Sequence, residues 1–151
     1  MAYALREAKK AAEEGEVPVG AVITFEGQII GRGHNRTEAL NDPTAHAEIL
    51  AIGAAAEALG DWRLHGATLY VTLEPCFMCA GAIVLARIGR LVFGATDPRA
   101  GACVSLADVT NDPRLAHQVE VVHGIGANEA VHVLQEFFAK RRKREEDKGL
   151  N

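Results

Sequence analysis

Asp42-Pro43-Thr44-Ala45-His46-Ala47-Glu48 and, further along, Thr72-Leu73-Glu74-Pro75-Cys76-Phe77-Met78-Cys79 decide how this chain is read. Together they supply one imidazole, from His46, and two thiols, from Cys76 and Cys79, all good zinc ligands. They also supply a carboxylate, Glu48, which holding a metal does not require. Three protein ligands on a four-coordinate ion leave one position for water, the mark of a catalytic rather than a structural zinc site. Cys76 and Cys79 stand i and i+3 in the first turn of a helix opening at Pro75, so both sulfurs share one face. Free backbone N–H groups and the helix dipole there favour thiolate over thiol. His46 and Glu48 lie in the first turns of a second helix. If the two helix starts meet, three ligands converge on one ion beside Glu48; spacing alone does not establish that they do.

Working outward, residues 3 to 14 carry Leu5, Ala8, Ala11 and Ala12 at helical spacing, and Gly15 ends that helix. Residues 17 to 25 and 28 to 34 read as a hairpin turning at Glu26-Gly27. Asn35 to Leu40 reads as a polar loop. Asp42 caps the next helix, with Pro43 in its first turn, and Gly60 stops it after Leu59. Residues 67 to 73, 90 to 95 and 119 to 123 read as strands. A helix from Pro75 to about Arg87 lies between the first two. Residues 97 to 117 are punctuated by Gly, Pro and Asp and predict loop with one short helix. A long helix from Ala127 to about Arg144 closes the pattern, and 145 to 151 is expected to be a disordered tail. This alternation predicts one α/β domain over 1–151, a mixed five-stranded sheet with helices on both faces.

The bulk properties agree with one soluble domain of 151 residues: 48% hydrophobic, 24% charged, net charge −4. No run approaches the roughly 18 apolar residues of a membrane span. The charged, helix-like N-terminus does not read as a secretory signal, so the expected location is the cytosol. The chain is not globally basic, but Lys140-Arg141-Arg142-Lys143-Arg144 is a cationic block. It reads equally as a solvated helix end favoured by the dipole or as a phosphate-contacting patch. Charge −4 demands that this block and Arg99 gather on one face if RNA is to bind. Of the three cysteines, Cys103 reads as a buried thiol, with a fourth zinc ligand as the alternative.

Two thiolates roughly neutralise Zn²⁺, so a zinc held this way acidifies water less than an all-histidine site does, and a base is needed. Glu48 fills that role and can return protons to a ring nitrogen and a departing amine. His-x-Glu followed by Pro-Cys-x-x-Cys is the signature of zinc nucleobase deaminases. A purely structural zinc would need a fourth ligand from Cys103, His34, His65, His117, His123 or His132.

The resemblance extends well beyond the zinc residues. Gly15-Glu16-Val17-Pro18-Val19-Gly20-Ala21, His34-Asn35-Arg36, Asp42 through Glu48, Thr72 through Ala82, Ala86-Arg87-Ile88, Phe93-Gly94-Ala95 and Phe137-Phe138 with the basic tail are all similar to the bacterial tRNA-specific adenosine deaminases. That family, the TadA type, belongs to the cytidine-deaminase-like superfamily. The 42–48 segment is largely shared with guanine deaminases, and the stretch from Thr72 is the more discriminating. The resemblance implies the three-layer α/β/α cytidine-deaminase-like fold and one Zn²⁺ per subunit. It implies conversion of adenosine to inosine at the wobble position of a tRNA anticodon stem-loop, by a homodimer contacting RNA through both subunits. It further implies that Asn35 hydrogen-bonds the purine edge, that Pro18, Val19 and Leu73 wall the base, and that Ala47 and Glu74 also contact substrate. Asn35 reads alternatively as a loop residue satisfying its own backbone. Asp97 would lie near the ribose and read its 2′-hydroxyl, or simply form an Asp-Pro turn. Arg99 stands where lysine is more usual, and 101–105 is bulkier than in relatives. Phe138 would stack on a base, one of Phe137 and Phe138 being buried and the other facing RNA. Lys140, Arg141 and Arg142 would meet the RNA backbone. The natural N-terminus is expected to lie further upstream, because the chain starts almost inside its first helix.

Overall fold

The computed structural model describes residues 1–149. In chain order the elements are α1 (Ala2–Glu13), β1 (Gly20–Phe25), β2 (Gln28–His34), α2 (Thr37–Leu40), α3 (Ala47–Leu59), β3 (Thr68–Leu73), α4 (Phe77–Leu85), β4 (Arg90–Ala95), β5 (Glu120–His123) and α5 (Ala127–Gly149). The strands form one sheet in the order β2-β1-β3-β4-β5. β1 is antiparallel to both β2 and β3, whereas β3, β4 and β5 run parallel. The α3 and α4 helices contact each other on one face; α1 and α5 contact each other on the other. This is the predicted three-layer arrangement around a mixed five-stranded sheet.

Local chemistry explains the joints. Glu26 and Gly27 both take positive φ, which is what a two-residue hairpin turn requires. Gly60 caps α3 in the left-handed conformation, as expected from its position. The inner layer is aliphatic: Ile23, Leu69, Val71, Leu91 and Phe93 are fully buried or nearly so.

Several boundaries move for identifiable reasons. β1 begins at Gly20 rather than 17, because Val17 to Val19 form a tight turn closed by the Val19 N–H donating to the Val17 carbonyl. The α3 helix begins at Ala47, not after Asp42. Asp42 instead accepts from the Thr44 N–H (2.8 Å) and hydroxyl (2.7 Å), closing a turn of its own before the helix. The expected loop 35–40 contains α2, whose first N–H groups, from Glu38 and Ala39, donate to the buried Glu16 carboxylate. The segment 97–117 consists, among the described residues, of turns without the expected short helix. α5 continues through Gly149, helped by helix-forming Lys, Arg and Glu and an Arg141–Glu145 ion pair (3.5 Å). The final two positions of the expected tail lie outside the described residues. No helix among the described residues is long and apolar enough to cross a membrane.

The α3 helix lies with its backbone directly against that of β2. A Cβ placed on Gly33 would overlap the Ala47 carbonyl oxygen, at the first residue of α3. Gly33→Ala should therefore push the start of α3 off the sheet. A loss of about 1–3 kcal/mol in urea unfolding is expected from such overpacking, with a parallel fall in the metal content of the purified chain.

Candidate active site

The two ligand stretches do meet. His46 is the N-cap of α3 and Cys76 the N-cap of α4, with Cys79 in the first turn of α4. Each cap residue is extended while the next is helical, so both helices start at the same end of the parallel strands. His46 Nδ1 lies 3.6 Å from the Cys76 sulfur and 3.5 Å from that of Cys79. For Zn–S and Zn–N bonds of ordinary length at a tetrahedral ion, the N···S edge is about 3.6 Å. All three donor atoms lie within 4.8 Å of one another, so the residues fit a metal ion of zinc's size and softness.

Charge is distributed as this geometry demands. Hydrogen bonds from Cys79 and His46 lower the Cys76 thiol to about 4, so it is the thiolate of the pair. Cys79 rises well above the usual thiol range, because it shares its proton with Cys76 and is buried. The imidazole of His46 is raised, chiefly by its hydrogen bond to Cys76. Glu48 is 4% exposed, and burial raises its carboxyl above the usual glutamate range. Its Oε2 accepts from the Cys79 thiol at 3.2 Å, which sets the carboxyl against the ligand group. Cys103 stays out of the cluster. It is buried in the core, which pushes its thiol up to about 12. Among the described residues no second histidine joins the group either, so the fourth ligand of a structural site is missing.

At the C-terminal ends of β3 and β4 lies a cavity of about 690 Å³ lined by Leu73, Asp97, Arg99, Phe138 and Arg142, among others, and not by His46, Glu48, Cys76 or Cys79 themselves. Five residues singled out from sequence thus share one wall. Others do not. Pro18, Val19 and Ala47 are buried, the latter two within the core, so they underlie the site rather than line this cavity. Phe137 and Phe138 are both half-buried, with their rings edge to face at 5.3 Å. Successive helix residues point about 100° apart. Phe138 therefore faces the cavity, while Phe137 joins Lys140 and Arg141 in a groove beside Ala12 of α1. The basic block is divided between the same two flanks, only Arg142 reaching the cavity.

Asn35 does not satisfy its own loop, the alternative reading of this residue. Its Oδ1 accepts the N–H of Ala47, the first residue of α3, at 2.9 Å, so it serves a neighbouring helix rather than its own loop. Donation through Nδ2 is the role left open. Asp97 does make the local turn, accepting from the Arg99 N–H at 3.0 Å, and also lines the cavity.

Glu74 is the largest correction. Expected against substrate, it is 3% exposed, and its carboxylate is surrounded by loop donors. The N–H groups of Asp97 (2.8 Å), Val104 (2.6 Å) and Ser105 (2.7 Å) and the Ser105 hydroxyl (2.6 Å) all donate to it. A Cβ on Gly101 would collide with this carboxylate. The cue in the sequence was the serine and glycine of 101–105, small residues that let a loop wrap a carboxylate. Burial pushes the Glu74 carboxyl up, but these donors outweigh it and hold it below the usual glutamate value. A depressed carboxyl stabilises the fold above its unfolded pKa and ceases to do so as pH falls through the folded one. Glu74→Gln should lower stability by about 1–3 kcal/mol at neutral pH, since one acceptor oxygen is replaced by a donor facing donors. In urea titrations the deficit should shrink as pH falls through the lowered folded-state value of Glu74, where the parent carboxyl is itself protonated.

Known proteins share this framework. Residues 1–142 match the family model of the MafB19-like deaminases. The tRNA-specific adenosine deaminase of Bacillus subtilis is 52% identical over 144 residues, spanning 95% of this chain and 89% of that protein. A solved structure from studies of A-to-I editing by tRNA:A34 deaminases superposes with a TM-score of 0.84 at 52% identity, over 87% of this chain and 95% of that one. The Bacillus subtilis guanine deaminase is more distant, with a TM-score of 0.60 at 41% identity over 63% of this chain and 61% of its own. With likeness of that extent, the chain belongs to the family of tRNA-specific adenosine deaminases.

Proposed function

We propose that this chain hydrolyses adenosine to inosine at the wobble position of a tRNA anticodon, with zinc held by His46, Cys76 and Cys79, one ion per subunit. The observation that carries the reading is the buried carboxyl of Glu48 at the common N-terminus of the two ligand helices. When bound, zinc supplies Lewis acidity that makes water a nucleophile near neutral pH. Glu48 takes the proton of the attacking water, passes it to the ring nitrogen beside the reacting carbon, and delivers a proton to the amine as ammonia leaves. A carboxyl raised by burial suits this shuttle, because it holds a proton more readily than an exposed glutamate.

The remaining residues bind and orient. Asn35 donates through Nδ2 to the purine edge while its oxygen stays on α3. Leu73 and Phe138 offer apolar and stacking surface to bases. Asp97 keeps one carboxylate oxygen for a ribose hydroxyl. Arg99 and Arg142 neutralise phosphates at the cavity, with Lys140 and Arg141 on the adjoining flank. Glu74 acts indirectly by fixing the loop that carries Asp97 and Arg99.

The protein works as a homodimer in the cytosol, where tRNA is found. The dimer is supported by α4, which leaves Phe77, Met78 and Leu85 exposed, the last at 68%. Apolar side chains in such number on one short helix favour burial against a partner. Light scattering should give twice the chain mass, falling to the monomer mass in Leu85→Glu.

The deciding assay compares an anticodon stem-loop with adenosine at the wobble position, free adenosine and free guanine. Inosine should form in the stem-loop alone. Ammonia from free guanine with an untouched stem-loop would instead make this a nucleobase deaminase. Glu48→Gln should lower kcat by about 10²–10⁴-fold while zinc content measured by mass spectrometry stays at one per chain.

A further inference from the structure

His34 closes β2 one residue before Asn35, and its ring is held between a carboxylate of α1 and one at the C-cap of that helix. Nδ1 lies 3.2 Å from Oε2 of Glu7, and Nε2 lies 3.0 Å from Oε2 of Glu14. A neutral imidazole carries one N–H and presents a lone pair at the other nitrogen. A lone pair facing a carboxylate is repelled, so both contacts are hydrogen bonds only when both ring nitrogens are protonated. Glu7 is an anion here. Burial pushes its carboxyl up, but the hydrogen bonds from Lys10 and His34 outweigh that and leave it below the usual value. Glu14 is half-exposed and also faces Arg36, whose Nε is 3.6 Å away. The charged groups around the ring are therefore Glu7 with Lys10 behind it and Glu14 with Arg36 beside it.

The chain then turns directly into the site. The Asn35 N–H donates to the Val19 carbonyl at 3.1 Å, and its Oδ1 accepts from Ala47 at 2.9 Å. Ala47 separates His46 from Glu48. α1 thus grips the end of β2 one residue away from the amide that holds the start of α3.

We propose that His34, its ring clamped between Glu7 and Glu14, is a positioning residue that sets Asn35 and, through it, the N-terminus of α3. Its consequence for substrate rests on the reading of Asn35 as a base contact. Without one of the two carboxylates the ring is held on one side only, the clamp opens, and Asn35 loses its fixed setting.

The test uses the full zinc-loaded chain labelled with ¹⁵N. In Glu14→Ala, at a half-exposed position, the Ala47 amide resonance should move, and KM for the stem-loop should rise about tenfold while kcat changes less than about twofold. Glu14→Gln should keep both near the parent values, because a side-chain amide can either accept from or donate to a ring nitrogen. An Ala47 amide that stays in place in Glu14→Ala would overturn the clamp. An amide that moves while KM stays flat would overturn the positioning of substrate. If the stem-loop proves not to be a substrate, the amide coupling still decides the clamp, so the two readings fail separately.

Discussion

Two helix N-termini aimed at one point are the constraint on which the site depends. His46 and Cys76 are cap residues, and the free N–H groups behind them carry partial positive charge. That field favours anions where the thiolates and Glu48 lie. The convergence is enforced by the sheet. α3 ends before β3, α4 links parallel β3 to β4, and both helices pack on the same face. The glycines of β2 let α3 lie close enough that its first residue touches the strand backbone. Moving either helix along its axis by one residue, about 1.5 Å, would break the tetrahedral spacing of the three donors.

The same economy of contacts governs the cavity. Its wall from Asp97 to Arg99 has no regular secondary structure of its own. It is held by Glu74, which stands between β3 and the ligand Cys76, and by the pairing of Cys76 with Gly101. The candidate metal site and the cavity wall are therefore two sides of one short segment, 73–76. A disturbance on the wall reaches the ligands within two residues, which gives the buried carboxylate of Glu74 its importance despite its distance from any reacting atom. Asn35 plays the matching part on the other side, where one amide oxygen ties the strand end to α3.

The net charge of −4 is not hidden by burial: Glu7, Glu16, Glu48 and Glu74 are buried, but most of the other acids are exposed. The basic block and Arg99, expected on one face, do not gather there: Arg142 alone of the block lines the cavity with Arg99, while Lys140 and Arg141 lie on the adjoining flank. The split of the basic block across two faces of α5 was not visible in the run of letters, since it depends on where the helix meets α1 and β4.

By itself the sequence determined the candidate ligands, the hairpin, the alternation of strands and helices and hence the layered fold. Each follows from side-chain chemistry or a short period in the chain: His46, Cys76 and Cys79 carry metal-binding donor atoms whatever the fold, and Gly60 ends a helix for local steric reasons. What only the tertiary structure decided are the partners of polar groups distant in sequence. Asp42 capped its own turn rather than α3, Glu16 organised α2, and Glu74 turned from substrate to the loop 97–105. Asn35 gave its amide oxygen to α3, and His34 was caught between Glu7 of α1 and Glu14 at its C-cap. A carboxylate or amide accepts from whichever donor the fold brings within about 3 Å, and that neighbour, twenty or thirty residues away, is chosen by packing and not by the residue's own identity.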